Sequence, residues 1–198
     1  MRVHTREFPI PGRSDAGLLE RAGYDVRHQS ECSYRLTLWG PLPETWAAAL
    51  GIGLAEAGIR VVRGSARRVD GAAWLGEFEL EALDDSDEPV LLDYLALTRA
   101  PLDELASPLI SLTGHHSSLT AKHGGSLYLE VRARDRLGFL GGLLAPIARL
   151  GLVPEELEID TLGAPILDRF FLKQRSGAPP GTEQRRGLRR LLEALGHS

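Results

Sequence analysis

From Leu127 to Ala133 every second residue is apolar (Leu127, Leu129, Val131, Ala133), which is the pattern of a strand with one face buried. Beyond Gly138 the period changes: Phe139, Leu140, Leu143, Leu144, Ile147 and Leu150 recur at spacings of three and four and form one helical stripe that Gly151 ends. Val153, Leu157, Ile159 and Thr161 then fall in step, a turn is expected at Leu162–Gly163, and Ile166, Phe170 and Leu172 form the second arm of a hairpin. The loop "SGAPPG" leads to Thr182, the expected N-cap of a last helix whose apolar face is Leu188, Leu191, Leu192 and Leu195 and which closes at Gly196.

The same order recurs upstream. Tyr34 to Gly40 reads as a strand, and Pro43 to Gly58 as a helix with Trp46, Leu50, Leu54 and Ala57 in stripe. "IRVVRGSARR" and "AAWLGEFELEAL" read as a hairpin, with Trp74, Phe78 and Leu80 on one face. Asp87 and Pro89 are placed to cap and start a helix through Leu91, Tyr94 and Leu95, although "VLLDYLALT" fits a helix or a strand. Gly58 and Gly151 are matching anchors 93 residues apart. A short extra strand is expected before each copy, at Tyr24 to His28 and at Ser117 to His123. The expected organisation is an N-terminal extension (1–21), a first unit (22–100), a linker (101–116) and a second unit (117–198). The fold class that follows is α+β: two ferredoxin-like βαββαβ-like sandwiches, antiparallel sheets with helices on one face. Units of this size are near the lower limit for an independent core, so the two sheets are expected to adjoin.

Composition narrows the function classes. The 198 residues are 43% hydrophobic and 25% charged, with a formal net charge of -4, which points to a water-soluble protein and away from one built to neutralise a phosphate backbone; nucleic acid is not an expected partner. No apolar run is long enough to span a membrane and the N-terminus has no signal-peptide pattern, so a cytoplasmic location is expected and no membrane partner. Cys32 is the single cysteine and reads as a plain thiol. His115, His116 and His123 lack the spacing of a metal site and read as solvated. Arg185, Arg186, Arg189 and Arg190 lie opposite the leucine stripe, where a solvated face is expected. "GFLGGLL" has neither a Walker lysine nor a dinucleotide fingerprint, and no nucleophile stands in a strand-turn-helix context. The expectation is a chain without catalytic activity, cofactor or metal.

One segment remains, Asp135-Arg136-Leu137-Gly138-Phe139-Leu140, the turn from strand to helix. A glycine opening a helix lets a ligand approach the backbone, and the first-turn N–H groups from Gly138 to Leu140 suit a carboxylate. Asp135 is placed to hold an ammonium, so the turn has what an α-amino acid requires. Ile159, Asp160 and Thr161, or their counterparts in a neighbouring unit, are expected to close the other side. The plainer explanation is that Gly138 only makes a tight turn and Asp135 caps the helix.

The stretch "LYLEVRARDRLGFLGGLLAPIARLGLVPEELEIDTLGAPILDRFFLKQ" resembles an ACT domain, through that turn and through the "TLG" that follows the second core strand. It is most similar to the C-terminal ACT pair of bacterial nitrogen-sensing uridylyltransferases, over residues 126–196. Leu137 stands where the family usually has proline, and the first copy carries Trp39-Gly40-Pro41-Leu42-Pro43-Glu44 without the Asp-x-x-Gly. The resemblance implies a regulatory module that binds an amino acid where two domains meet, assembles edge to edge as a homodimer and acts on a regulated enzyme. Two other classes stay open: a structural interaction module without ligand, and an enzyme on a ferredoxin-like scaffold.

Overall fold

The computed structural model describes residues 18–71, 73–83, 88–134, 136–161 and 166–196. Strands β1 (Gly23–Ser30) and β2 (Ser33–Pro41) lead to helix α1 (Trp46–Glu56), the hairpin of β3 (Ile59–Asp70) and β4 (Ala73–Ala82), and the short helix α2 (Tyr94–Arg99). Strands β5 (Gly114–Thr120) and β6 (Ser126–Ala133), helix α3 (Phe139–Arg149), strands β7 (Leu152–Asp160) and β8 (Ile166–Gln174) and helix α4 (Thr182–Gly196) follow. The fold is α+β, and among the described residues the eight strands form one antiparallel sheet in the order β1-β2-β4-β3-β7-β8-β6-β5.

Both halves carry one strand order, β1-β2-β4-β3 and β5-β6-β8-β7, and meet through β3 and β7. Ser33 and Ser126, Trp46 and Phe139, and Ile59 and Leu152, which begin β2 and β6, α1 and α3, and β3 and β7, are each 93 residues apart. The bulges repeat too, between Val61 and Arg63 on β3 and between Pro154 and Glu156 on β7. Across the junction Arg63 faces Asp160, Ser65 faces Glu158 and Arg67 faces Glu156. Ser65 thus lies opposite its own counterpart, so a local twofold passes between these two residues.

Alternation decides which face is buried. On β4 the residues Trp74, Phe78 and Leu80, and on β8 Ile166, Phe170 and Leu172, are at most 1% exposed and pack in the helix-covered core. The opposite face carries ion pairs, such as Arg35–Glu77 and Arg169–Glu158, each contributing little at its exposure. Gly58 and Gly151, with φ of 72° and 75°, end α1 and α3 in the left-handed conformation that glycine adopts without penalty.

Some expected boundaries move. Helix α1 starts at Trp46 rather than Pro43, because the Trp46 amide closes a turn on the Pro43 carbonyl at 3.0 Å. Strand β5 ends at Thr120, short of His123, whose φ of 57° opens a turn continued by Gly124 and Gly125. Thr182 is the first helical residue of α4, not its cap; Gly181 precedes it and donates its amide to the Gln184 side chain at 2.9 Å. Asp93 caps α2 by accepting from the Ala96 amide at 3.0 Å; Asp87 and the Leu162–Gly163 turn lie outside the described residues.

Helices α1 and α3 pack together at two glycines. A Cβ on Gly51 would stand 2.7 Å from the Gly141 amide nitrogen, and one on Gly141 would stand 2.6 Å from that of Ile52. Gly141→Val is therefore expected to cost about 1 to 3 kcal/mol or more by forcing the backbones apart. Gly114→Ala, with nothing within 4 Å of its added methyl, should change little. Urea unfolding of the two variants checks the contrast.

Candidate functional site

A cleft opens where the two halves meet on the helix side of the sheet. The first half contributes Gly51 and Leu54 of α1 and Ile59, Arg60 and Val61 of β3. The second contributes Arg136, Gly138, Phe139 and Leu140 around the start of α3, with Ile159, Thr161 and Asp168 from β7, its end and β8. The cleft is shallow, with an enclosed volume of about 20 Å³, room for about one water molecule.

The bulge on β3 fixes one wall. It takes Val62 out of the ladder with β4, and the Val62 carbonyl accepts the Thr161 amide at 2.9 Å. The Thr161 hydroxyl donates to the Val61 carbonyl at 3.2 Å and also to that of Val62. The end of β7 is thereby stitched to the start of β3.

Two charged side chains face the space, Arg136 and Asp168. Arg60 borders it, but its guanidinium is held by Glu81, which accepts from its Nε at 3.0 Å and its Nη2 at 2.7 Å on the face away from the helices. Arg136 is exposed at the mouth. Asp168 is 1% exposed and accepts the Asp160 amide at 3.2 Å. A carboxylate held this far from water requires hydrogen-bond donors or a cation, since desolvation penalises its charge.

Six of the nine residues expected at the site, Arg136, Gly138, Phe139, Leu140, Ile159 and Thr161, line this one cleft. Leu137 is half-buried in the turn and does not line it. Asp160 pairs across the sheet with Arg63 at 3.7 Å, and only its amide turns to the site, through Asp168. Asp135 lies outside the described residues.

Two local details differ from expectation. Gly138 has a φ of 79°, and a Cβ there would stand 2.7 Å from Pro108 Cγ and 3.1 Å from Ala55 Cβ. Its bare face is thus covered by the connector and by α1. The Phe139 amide, expected to meet a carboxylate, donates to the Arg136 carbonyl at 3.1 Å.

No protein-family model, curated protein or solved structure matches this chain. The arrangement must be read from its own chemistry. A buried acid, Asp168, and an exposed guanidinium, Arg136, place charges of both signs around the small mouth. Among the described residues no group of three His, Cys, Asp or Glu is disposed to hold a metal; His123 instead contacts Glu156 at 3.1 Å.

Asp168 and the first-half residues were absent from the expected set. Asp168 had a signal, for it stands in step with Ile166, Phe170 and Leu172 and breaks an apolar face with an acid. Gly51 and Leu54 had none, because their approach to the second half depends on the pairing of β3 with β7.

Gly138→Ala is expected to cost about 1 to 2 kcal/mol, the penalty of a left-handed non-glycine residue, besides the contact with Pro108. Chemical unfolding should show the loss with no ligand present, so a bulky residue here reports on the turn before it reports on binding.

Proposed function

We propose that the chain is a non-catalytic regulatory module that binds a small zwitterion, an α-amino acid, in the cleft between its halves. The observation that carries the reading is the composite lining: Gly51 and Leu54 from one half, Arg136 and Asp168 from the other, around the start of α3. The exposed guanidinium of Arg136 suits a carboxylate, and the amino-acid class extends the resemblance of residues 126–196 to ACT domains. In this reading each half is a ferredoxin-like unit in which the fourth strand precedes the first, residues 22–100 and 117–198 are the two domains with 101–116 between them, and the chain acts on a regulated enzyme in the cytoplasm. A homodimer is proposed through the outer strands β1 and β5, whose edges are unpaired in the sheet order. Sedimentation as a strict monomer at micromolar concentration would reject that part.

A second reading, an interaction module without ligand, draws on one observation. Pro108 of the connector lies against Gly138, where an approaching ligand was expected. A thermal-shift screen of the twenty amino acids separates the two, because a ligand at one hundred times its Kd stabilises the folded state by about 2.7 kcal/mol. One or a few amino acids should raise Tm, and a flat screen at millimolar concentration favours the interaction module. Arg136→Ala should weaken the hit about tenfold or more in calorimetry while leaving the unliganded Tm unchanged, since the side chain is exposed.

A further inference from the structure

The local twofold at the junction of the halves means that its backbone geometry would serve like strands as well as unlike ones. Arg63, Ser65 and Arg67 of β3 face Asp160, Glu158 and Glu156 of β7. The counterparts 93 residues apart are Arg63 and Glu156, Ser65 and Glu158, and Arg67 and Asp160. A β3–β3 pair in the same register would therefore set Arg63 against Arg67 twice. A β7–β7 pair would set Glu156 against Asp160 twice and Glu158 against itself. Side chains, not backbone, distinguish the observed pairing from these two.

Charge is one difference. Strand β3 carries Arg60, Arg63, Arg67 and Arg68 against a single acid, Asp70, whereas β7 carries Glu155, Glu156, Glu158 and Asp160 and no base. Two ion pairs bridge the halves, Arg63–Asp160 at 3.7 Å and Arg68–Glu155 at 3.3 Å. The acids of β7 are also held within their own half, Glu156 by Lys122 at 2.8 Å and Glu158 by Arg169 at 3.1 Å. Exposed pairs contribute little singly, but like charges directly opposite across a strand pair are destabilising, so exchanging unlike for like strands changes the sign at every facing position. Size is the second difference, on the core face. Gly64 faces Ile159 and Ala66 faces Leu157, small against large, and a Cβ on Gly64 would collide with Phe78. Like pairing would set Gly64 against Ala66 in one case and Leu157 against Ile159 in the other.

We infer that β3 and β7 form a coded interaction surface: a basic strand with small core-facing residues accepts an acidic strand with large ones, so each half fits its opposite and rejects a second copy of itself. The inference is independent of any ligand in the cleft. It gives the divergence of the two copies a physical cause. A twofold junction between identical strands could join two chains as well as two halves, and the central contact of the fold would then be open to competition. Unlike strands remove that competition by building repulsion into the wrong pairings as well as attraction into the right one.

The test is a charge-reversal cycle in the full chain, read by urea unfolding. Arg63→Glu with Arg67→Glu sets acid against acid at the junction, Asp160→Arg with Glu156→Arg sets base against base, and the four changes together restore opposite charges in reversed order. Each strand reversal should lower the folding equilibrium constant about tenfold or more. The four-change chain should be about tenfold or more above the product of the two separate losses, because costs inside each half, such as the lost Glu156–Lys122 contact, cancel in the cycle. High salt should shrink that excess by screening. Where a strand reversal fails to fold, the smaller cycle of Arg63→Asp, Asp160→Arg and both together is read instead, with an excess of about threefold or more expected. A combined variant no more stable than the product of the separate losses, or an excess that high salt leaves unchanged, overturns the charge code and leaves the amino-acid reading of the cleft untouched.

Discussion

The antiparallel pairing of β3 with β7 is the contact on which the rest of the architecture depends. It converts two four-stranded halves into one eight-stranded sheet and hides two strand edges that would otherwise invite association. Because Ser65 meets its own counterpart Glu158, the join is symmetric, and the helices that follow β2 and β6 are carried toward each other over it. Gly51 and Gly141 are the consequence. Two helices brought this close above a continuous sheet need positions without side chains, and α1 and α3 supply them at their contact. The connector uses the same device, with the Pro108 carbonyl and Ile110 against Gly142.

Close approach of the helices also explains why so much of α1 is apolar. From Trp46 to Leu54 every residue is buried, because α1 faces the sheet below, α3 beside it and α2 on a further side. A helix apolar on all sides is one that has no solvent face. Helix α4 is the contrast, with only Leu188 and Leu192 buried and Arg186, Arg189 and Arg190 exposed. Its amphipathic stripe was legible for the same reason that the stripe of α1 was broad.

Period and turn residues carried the order of elements, and the two left-handed glycines after α1 and α3 carried the repeat. Residues whose position depends only on their own neighbours could be read this way: the alternation on β6 and β8, the stripe of α3, the turn at Gly138. The strand ends were less legible, as at His123, where a left-handed residue stops β5. Half of the cleft was invisible for a different reason. Arg60, Leu54 and Gly51 lie far from Gly138 in the chain, and nothing in local pattern says that β3 will pair with β7 and not stay an edge. Asp168 was legible in principle, as an acid on an otherwise apolar strand face, but a search organised around the helix start passes over it.

The two halves differ most where the site is proposed, and the difference has a physical logic. A small repeat has little apolar material to spare, and in the first half Trp46, Trp74 and Phe78 fill the space beside the helix start with ring contacts. The second half places a buried carboxylate at the equivalent point, which contributes less to a core than an aromatic ring and introduces a desolvated charge. Such a group is tolerable where the surrounding sheet is already held, as it is here by the Val61 and Val62 carbonyls engaging Thr161. Stability can therefore be concentrated in one half and a polar cleft accommodated in the other. Since Leu54 comes from the stabilising half and Asp168 from the other, neither half alone assembles the lining, and any ligand that bridges the two would also strengthen the β3–β7 junction that creates its site.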